Sequence, residues 1–381
     1  MGKKVQKSIC IFAAKFILDQ VTRLENEISG ALEAADIEYI HRMRVASRRL
    51  RNAFDHFKDC FPKKKSGTWQ DDIRQITKSL GSARDLDIQI ERLSQLYDES
   101  LNPAFKPGYQ RLLLRLKQRR AKAQIKVEES LKKLHEERSL EKIRLGVERI
   151  SVNTEDIYLY TPSLYQRAFT SINTSLEDFL CHEEYITSPE NVEELHAMRI
   201  AGKKLRYAIE LFAPIYKQAM FPHIQIMKDI QDQLGNIHDD DIWISWLPKF
   251  IDKEKIRIEN YFGNTGPLER LLPGIEFLIE DRKNSRAAEY QAFLTTWQTL
   301  QDENAWVTLK EIIQAPINIE AALQHLTKEE DFDPEMDILE EEQKEEEDAA
   351  EIAVEPTSNN VEEATDEKNA WIHLDEPPST P

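Results

Sequence analysis

The sequence predicts an all-α protein built as two tandem four-helix bundles and closed by an acidic C-terminal tail. Three observations carry this. Glycine is scarce, with 11 residues in 381, and no run of alternating β-branched residues marks a strand. A basic helical motif occurs twice, 155 positions apart and without a gap. The formal net charge of −18 is confined to the last 54 residues.

The elements follow from periodicity and breakers. In the first half, residues 1–150, helices are expected near 5–31, 37–59, 69–97, 104–136 and 138–150. They are separated by breaks at 62–67 and at Asn102-Pro103. A linker spans 151–163. The second half, about 163–327, offers helices near 163–183, 190–217, 222–247, 250–261 and 268–300, with short helices near 304–325. Its breaks are Ser188-Pro189, Pro222 and 263–267. Four main helices with short connections per half suit antiparallel bundles.

The repeat is the most informative feature. Residues 40–57 read IHRMRVASRRLRNAFDHF and residues 195–212 read LHAMRIAGKKLRYAIELF. At about 100° per residue, His41, Arg44, Arg48 and Arg51 fall within roughly 80° of one another. Met43, Leu50, Phe54 and Phe57 gather opposite. His196, Arg199, Lys203 and Arg206 repeat the cationic row, and Arg49 and Lys204 sit on its flank. No acid lies in residues 40–53 to form i,i+4 pairs, so the cations repel one another. A self-repelling face that recurs is explained by an anionic ligand better than by solvation alone.

Two further segments extend the pattern. LGSARDLD at 80–87 aligns with LGNIHDDD at 234–241, which pairs Arg84 with His238, Asp85 with Asp239 and Asp87 with Asp241. These carboxylates suit either a divalent cation held against phosphate or a structural task. That task would be holding neighbouring basic side chains or capping a helix that restarts after the glycine. Residues 111–127 hold seven cations and no acid, with Arg115, Arg119, Lys122 and Lys126 along one stripe. The corresponding part of the second half has Arg282 and Arg286 after a group of acids, so any anion site is expected to be asymmetric.

Composition bounds the rest. Residues 328–381 hold 21 acids and 3 bases, whereas residues 1–327 hold 48 of each. The overall charge therefore says little about what the body binds. The tail has too few large apolar residues to fold alone and reads as disordered. Its ExExK match at Glu340, Glu342 and Lys344 is a coincidence of a low-complexity run, and the cluster at 370–376 is a candidate docking motif. Cys10, Cys60 and Cys181 share no metal-like or disulfide-like spacing and read as thiols of a reducing compartment. No signal peptide, myristoylation site or membrane span is expected, and the default location is cytoplasmic.

With HxMRVxxRRLR, HxMRIxxKKLRY and the two LGxxxDxD motifs in place, the chain resembles CHAD (conserved histidine α-helical domain) proteins over residues 1–327. The resemblance implies two four-helix bundles related by pseudo-twofold symmetry, with a basic channel between them that binds inorganic polyphosphate. It also implies association with polyphosphate granules or polyphosphate-metabolising enzymes. The matching basic positions are His41, Arg44, Arg48, Arg49 and Arg51, with His196, Arg199, Lys203, Lys204 and Arg206. Only about 40 residues precede the first motif, so a stand-alone domain is expected. His238 in place of Arg84, and the extra acid Asp240, depart from the pattern.

A polyphosphate site needs cations at helical-turn spacing and no stacking platform. The basic faces accordingly carry almost no aromatics, Tyr207 near the core side excepted. No P-loop, activated nucleophile or dedicated metal cluster is visible, and neighbouring arginines favour neutral His41 and His196. The expectation is a non-catalytic binder without cofactor or resident metal. The rivals are a metal-dependent phosphohydrolase or phosphotransferase and a nucleic-acid-binding or scaffold protein. A fold-back of the acidic tail onto the basic channel, as a weak competitor of the ligand, is a further expectation.

Overall fold

The structure, a computed structural model, describes residues 5–34, 36–151, 160–321 and 331–332. The expectations for most of the acidic tail, the centre of the linker and the 370–376 cluster fall outside these residues.

The described residues are almost entirely helical. The first half runs through α1 (Lys7–Asn26), α2 (Ile28–Glu33), α3 (Ile37–His56), α4 (Lys63–Glu99), α5 (Lys106–Glu136) and α6 (Ser139–Ser151). The second half holds α7 (Pro162–Leu180), α8 (Val192–Tyr216), α9 (Phe221–Phe262), α10 (Leu272–Asp302) and α11 (Ala305–Ala321). One short antiparallel pairing joins Val5–Gln6 to Asp331–Phe332, where the sequence suggested no strand.

Local chemistry explains the boundaries. Asp36 caps α3 by accepting from the Glu38 amide at 3.0 Å. Thr161 caps α7 in the same way, with Pro162 at the first helical position. Gly263, at φ 71°, ends α9 in the left-handed conformation.

Three expected interruptions are shortened or absent. Gly67 lies inside α4, which begins directly after Pro62. Pro248 lies inside α9, where the sequence suggested two helices. A helical proline costs about 3 kcal/mol, and the burial of the apolar Leu247, Phe250 and Ile258 around it offsets that. Gly81 and Gly235 sit in mid-helix and no helix restarts there.

The packing pattern repeats. In the first half α3 packs on α1 and α4, α4 on α5, and α1 on α6. In the second half α8 packs on α7 and α9, α9 on α10, and α7 on α11. The halves join through α3 with α8, α5 with α10, and α1 with α7. Both belong to one compact unit with a continuous apolar core.

Two joints deserve naming. Phe57 and Phe212, equivalent in the repeat, meet with ring centroids 5.6 Å apart, and Phe12 stacks on Phe212. At the starts of α5 and α10, Gly108 and Gly274 let the two backbones touch. A Cβ on Gly274 would lie 2.2 Å from the Phe105 carbonyl oxygen, and one on Gly108 would lie 2.5 Å from that of Leu271.

The cysteine expectation is corrected. Cys10 of α1 and Cys60, in the turn after α3, form a disulfide, and both are fully buried. Packing of α1 against α3 brings them together across 50 residues, a juxtaposition that sequence spacing does not encode. Cys181 is a free, exposed thiol.

Candidate functional site

α3 and α8 turn their apolar stripes into the core, and this aims their cationic rows at the space between the halves. Arg44, Arg48, Arg199, Lys203 and Arg206 line one cavity of about 750 Å³. α4 and α9 form its other walls and supply Asp85, Arg92, Asp232 and Asp239, and α5 adds Arg119. Seven cations thus face three carboxylates. Arg44 approaches Asp85 at 3.5 Å, a loose pairing with a largely exposed acid. The guanidiniums of Arg48 and Arg206 each lie 5.3 Å from the ring centre of Tyr207, which separates two like charges with a π face.

The concentration of positive charge acts on the site's own ionisable groups. Burial, followed by Arg199, Arg48 and Arg44, pushes the Lys203 ammonium down to about 7. Burial also lowers Arg199 and Arg48. The Nε atoms of Arg199 and Arg206 are buried without a hydrogen-bond partner, although that of Arg206 lies 3.6 Å from the Glu210 carboxylate. Each such donor costs about 1–3 kcal/mol. An anion in the cavity would relieve the repulsion and supply acceptors.

The histidines stand behind this surface. His196 and His238 place their Nδ1 atoms 3.0 Å apart, and His238 reaches the cavity wall. Burial, then Arg199, holds His238 down to about 4, and His196 is lowered by the same causes in the same order. His41 lies beside Arg84 in the first half, and burial followed by Arg84 lowers it. Arg84 itself is largely buried. One of its nitrogens lies 3.7 Å from Glu38, and its Nε and Nη1 have no hydrogen-bond partner.

The other sequence-marked cations lie elsewhere. Arg49 donates through Nε and Nη2 to Glu210 across the halves, at 3.2 and 2.9 Å. Arg115 is taken by Glu254, a fully buried carboxylate that also holds Arg111 and Arg257. Arg282 binds the buried Asp240, and Arg286 binds Asp241 and the Pro189 carbonyl. Arg51, Lys122, Lys126 and Lys204 do not line the cavity; Lys122, Lys126 and Lys204 are exposed.

The paired aspartates divide by role. Asp87 accepts from Arg120 of α5, and Asp241 from Arg286 of α10, so both hold basic side chains of a neighbouring helix. Asp85 and Asp239 face the cavity, and burial raises Asp239. Among the described residues no group of three or more His, Cys, Asp or Glu side chains could hold a metal ion. No described helix is long and apolar enough to cross a membrane.

Arg92 and Trp243 escaped the sequence reading. Ser82, Asp85, Gln89 and Arg92 follow an i, i+3, i+7, i+10 pattern along α4, which would have placed Arg92 on the wall that Asp85 marks.

The chain is similar in fold to the CHAD domain from the plant Ricinus communis, at 16% identity, with a TM-score of 0.50 over 87% of this chain and 97% of that one. It is likewise similar to PptA from Streptomyces chartreusis, at 14% identity and a TM-score of 0.50, over 76% of this chain and 99% of that one. No curated protein matches the sequence. The family model for the CHAD domain matches residues 15–248, a stretch that contains both basic motifs and both LGxxxDxD segments. With that match over more than half of its length, the chain belongs to the CHAD domain family.

Proposed function

We propose that the cavity between α3, α4, α8 and α9 binds inorganic polyphosphate without transforming it, and that binding serves association with polyphosphate granules or recruitment of a partner. The observation that carries this reading is the convergence of five cations from the two repeated helices on one cavity, where the buried Arg199 Nε has no hydrogen-bond acceptor. The CHAD family is linked to polyphosphate binding in general, which agrees with it.

The chemistry is complementary. Each phosphate of a linear chain brings about one negative charge and several acceptor oxygens. Arginine meets them with two parallel donors and lysine with a point charge. Burial and the neighbouring guanidiniums disfavour charged Lys203, and an anion beside it would restore the charge. His196 and His238, neutral and bonded to each other, are donors or supports rather than nucleophiles.

Long-chain polyphosphate incubated with the protein, with and without Mg²⁺ or Mn²⁺, tests the reading against the phosphohydrolase alternative. Bound chains recovered at full length, with no orthophosphate released over hours, are expected. Time-dependent shortening that requires the divalent ion would replace this reading with a catalytic one.

A further inference from the structure

Inorganic polyphosphate leaves part of the cavity unexplained. Ile88 of α4 and Ile242 of α9 both line it, and they remain 39% and 40% exposed. They are equivalent in the repeat, offset by the same 154 positions as the LGxxxDxD motifs they follow. Two isoleucines kept half-open at duplicated positions inside a strongly cationic cavity contribute nothing to holding phosphate. Trp243, the neighbour of Ile242, also lines the wall, and Arg119 lies 5.6 Å from the ring centre of Trp246.

Polar groups stand beside this apolar pair. Gln89 and Asn236 line the same cavity and make no side-chain hydrogen bond among the described residues. Gln231 donates to the Gly202 carbonyl and keeps its own amide oxygen for another donor. The volume of about 750 Å³ is that of a small-molecule pocket.

We infer that the cavity also takes nucleoside 5′-polyphosphates, with the phosphates on the α3 and α8 cations and the base against Ile88 and Ile242. A planar base offers two apolar faces to the isoleucines and a hydrogen-bonding edge to Gln89 and Asn236. A prenyl diphosphate fits less well, because its tail would bury those amides unpaired. The inference rests on the polyphosphate reading for its anionic half and adds the organic half.

The test compares adenosine 5′-tetraphosphate with inorganic tri- and tetraphosphate, which bracket its charge, by calorimetry in metal-free buffer. The nucleotide should bind about fivefold more tightly than either inorganic chain, the effect of removing about 40 Å² of apolar base and isoleucine surface from water. The double variant I88S/I242S should lose this preference and keep its affinity for inorganic tetraphosphate, which also reports that it is folded. A nucleotide bound no more tightly than both inorganic chains, or a preference that survives I88S/I242S, overturns the inference alone. Failure of the wild-type protein to bind any of the three overturns the polyphosphate reading with it.

Discussion

Phe57 and Phe212, the last residues of the two repeated motifs, pack ring to ring across the halves at 5.6 Å, and both are fully buried. The motif helices are thereby pinned at their C-terminal ends while their cationic rows line the cavity. Replacing Phe212 with Ala should cost about 3–5 kcal/mol, the range for a buried phenylalanine. Chemical denaturation reads it directly; a loss under about 1 kcal/mol would mean that the joint contributes little.

The glycines at the other joint make a second prediction. The Cβ of Gly274→Ala would lie 2.2 Å from a backbone oxygen, so α5 and α10 must separate. About 1–3 kcal/mol of stability should be lost. Gly67→Ala, at a helical position with nothing within 4 Å of the added carbon, should be neutral or stabilising. Equal thermal shifts for the two variants would contradict the close approach.

Lys203 gives a pH dependence. Its ammonium titrates near 7 in the cavity, against about 10.4 in an unfolded chain. The unfolded chain therefore binds more protons between these values, and stability should rise as pH rises from 7 toward 10. Polyanion binding draws a proton onto Lys203, so affinity should be highest below pH 7 and fall above it. Lys203→Met should remove the stability slope and weaken binding most at low pH. Proton uptake on binding, measured in two buffers of different ionisation enthalpy, checks the sign.

Glu254 marks where basic residues act structurally. Burial alone would raise its carboxyl, but the hydrogen bonds from Arg115 and Arg257 and the nearby charges of Arg115 and Arg111 outweigh burial and hold it below the ordinary range. A depressed folded pKa contributes stability that is present above the unfolded value of about 4.3 and lost as pH falls through the folded one. Glu254→Gln should destabilise the protein at neutral pH, flatten that part of the acid transition and leave polyphosphate affinity intact. A matching loss of affinity would draw Arg115 back into the binding surface.

The disulfide yields a prediction about conditions. Closing a 50-residue loop is worth about 4 kcal/mol by loop entropy. Cys10→Ala with Cys60→Ala should lower thermal stability, and strong reductant should add little further in that variant. An unchanged melting temperature would show that burial of α1 against α3 suffices without the bond.

Much of the cationic wall was legible because one face was written twice. Helical period and the absence of acids from residues 40–53 placed Arg44, Arg48, Arg199, Lys203 and Arg206 on common faces, and the structure brings all five to one cavity. The outer cations could not be sorted in this way. The acids that take Arg49, Arg115, Arg282 and Arg286 are Glu210, Glu254, Asp240 and Asp241. These four pairs are 161, 139, 42 and 45 positions apart, beyond any local rule. The unbroken α9 was hidden for a related reason, since the burial that overrides Pro248 is tertiary.

The central claim is that the duplicated face binds polyphosphate. Its most direct test is a titration with long-chain polyphosphate at several salt concentrations, beside the variant R44A/R48A/R199A/K203A. If all seven cavity cations meet phosphate, the log–log salt slope should be roughly −5 by the single-strand estimate, and the variant should show weaker binding and a slope shallower by about 3. Binding that the four substitutions leave unchanged in strength and slope would contradict the account and place the polyanion elsewhere on the protein.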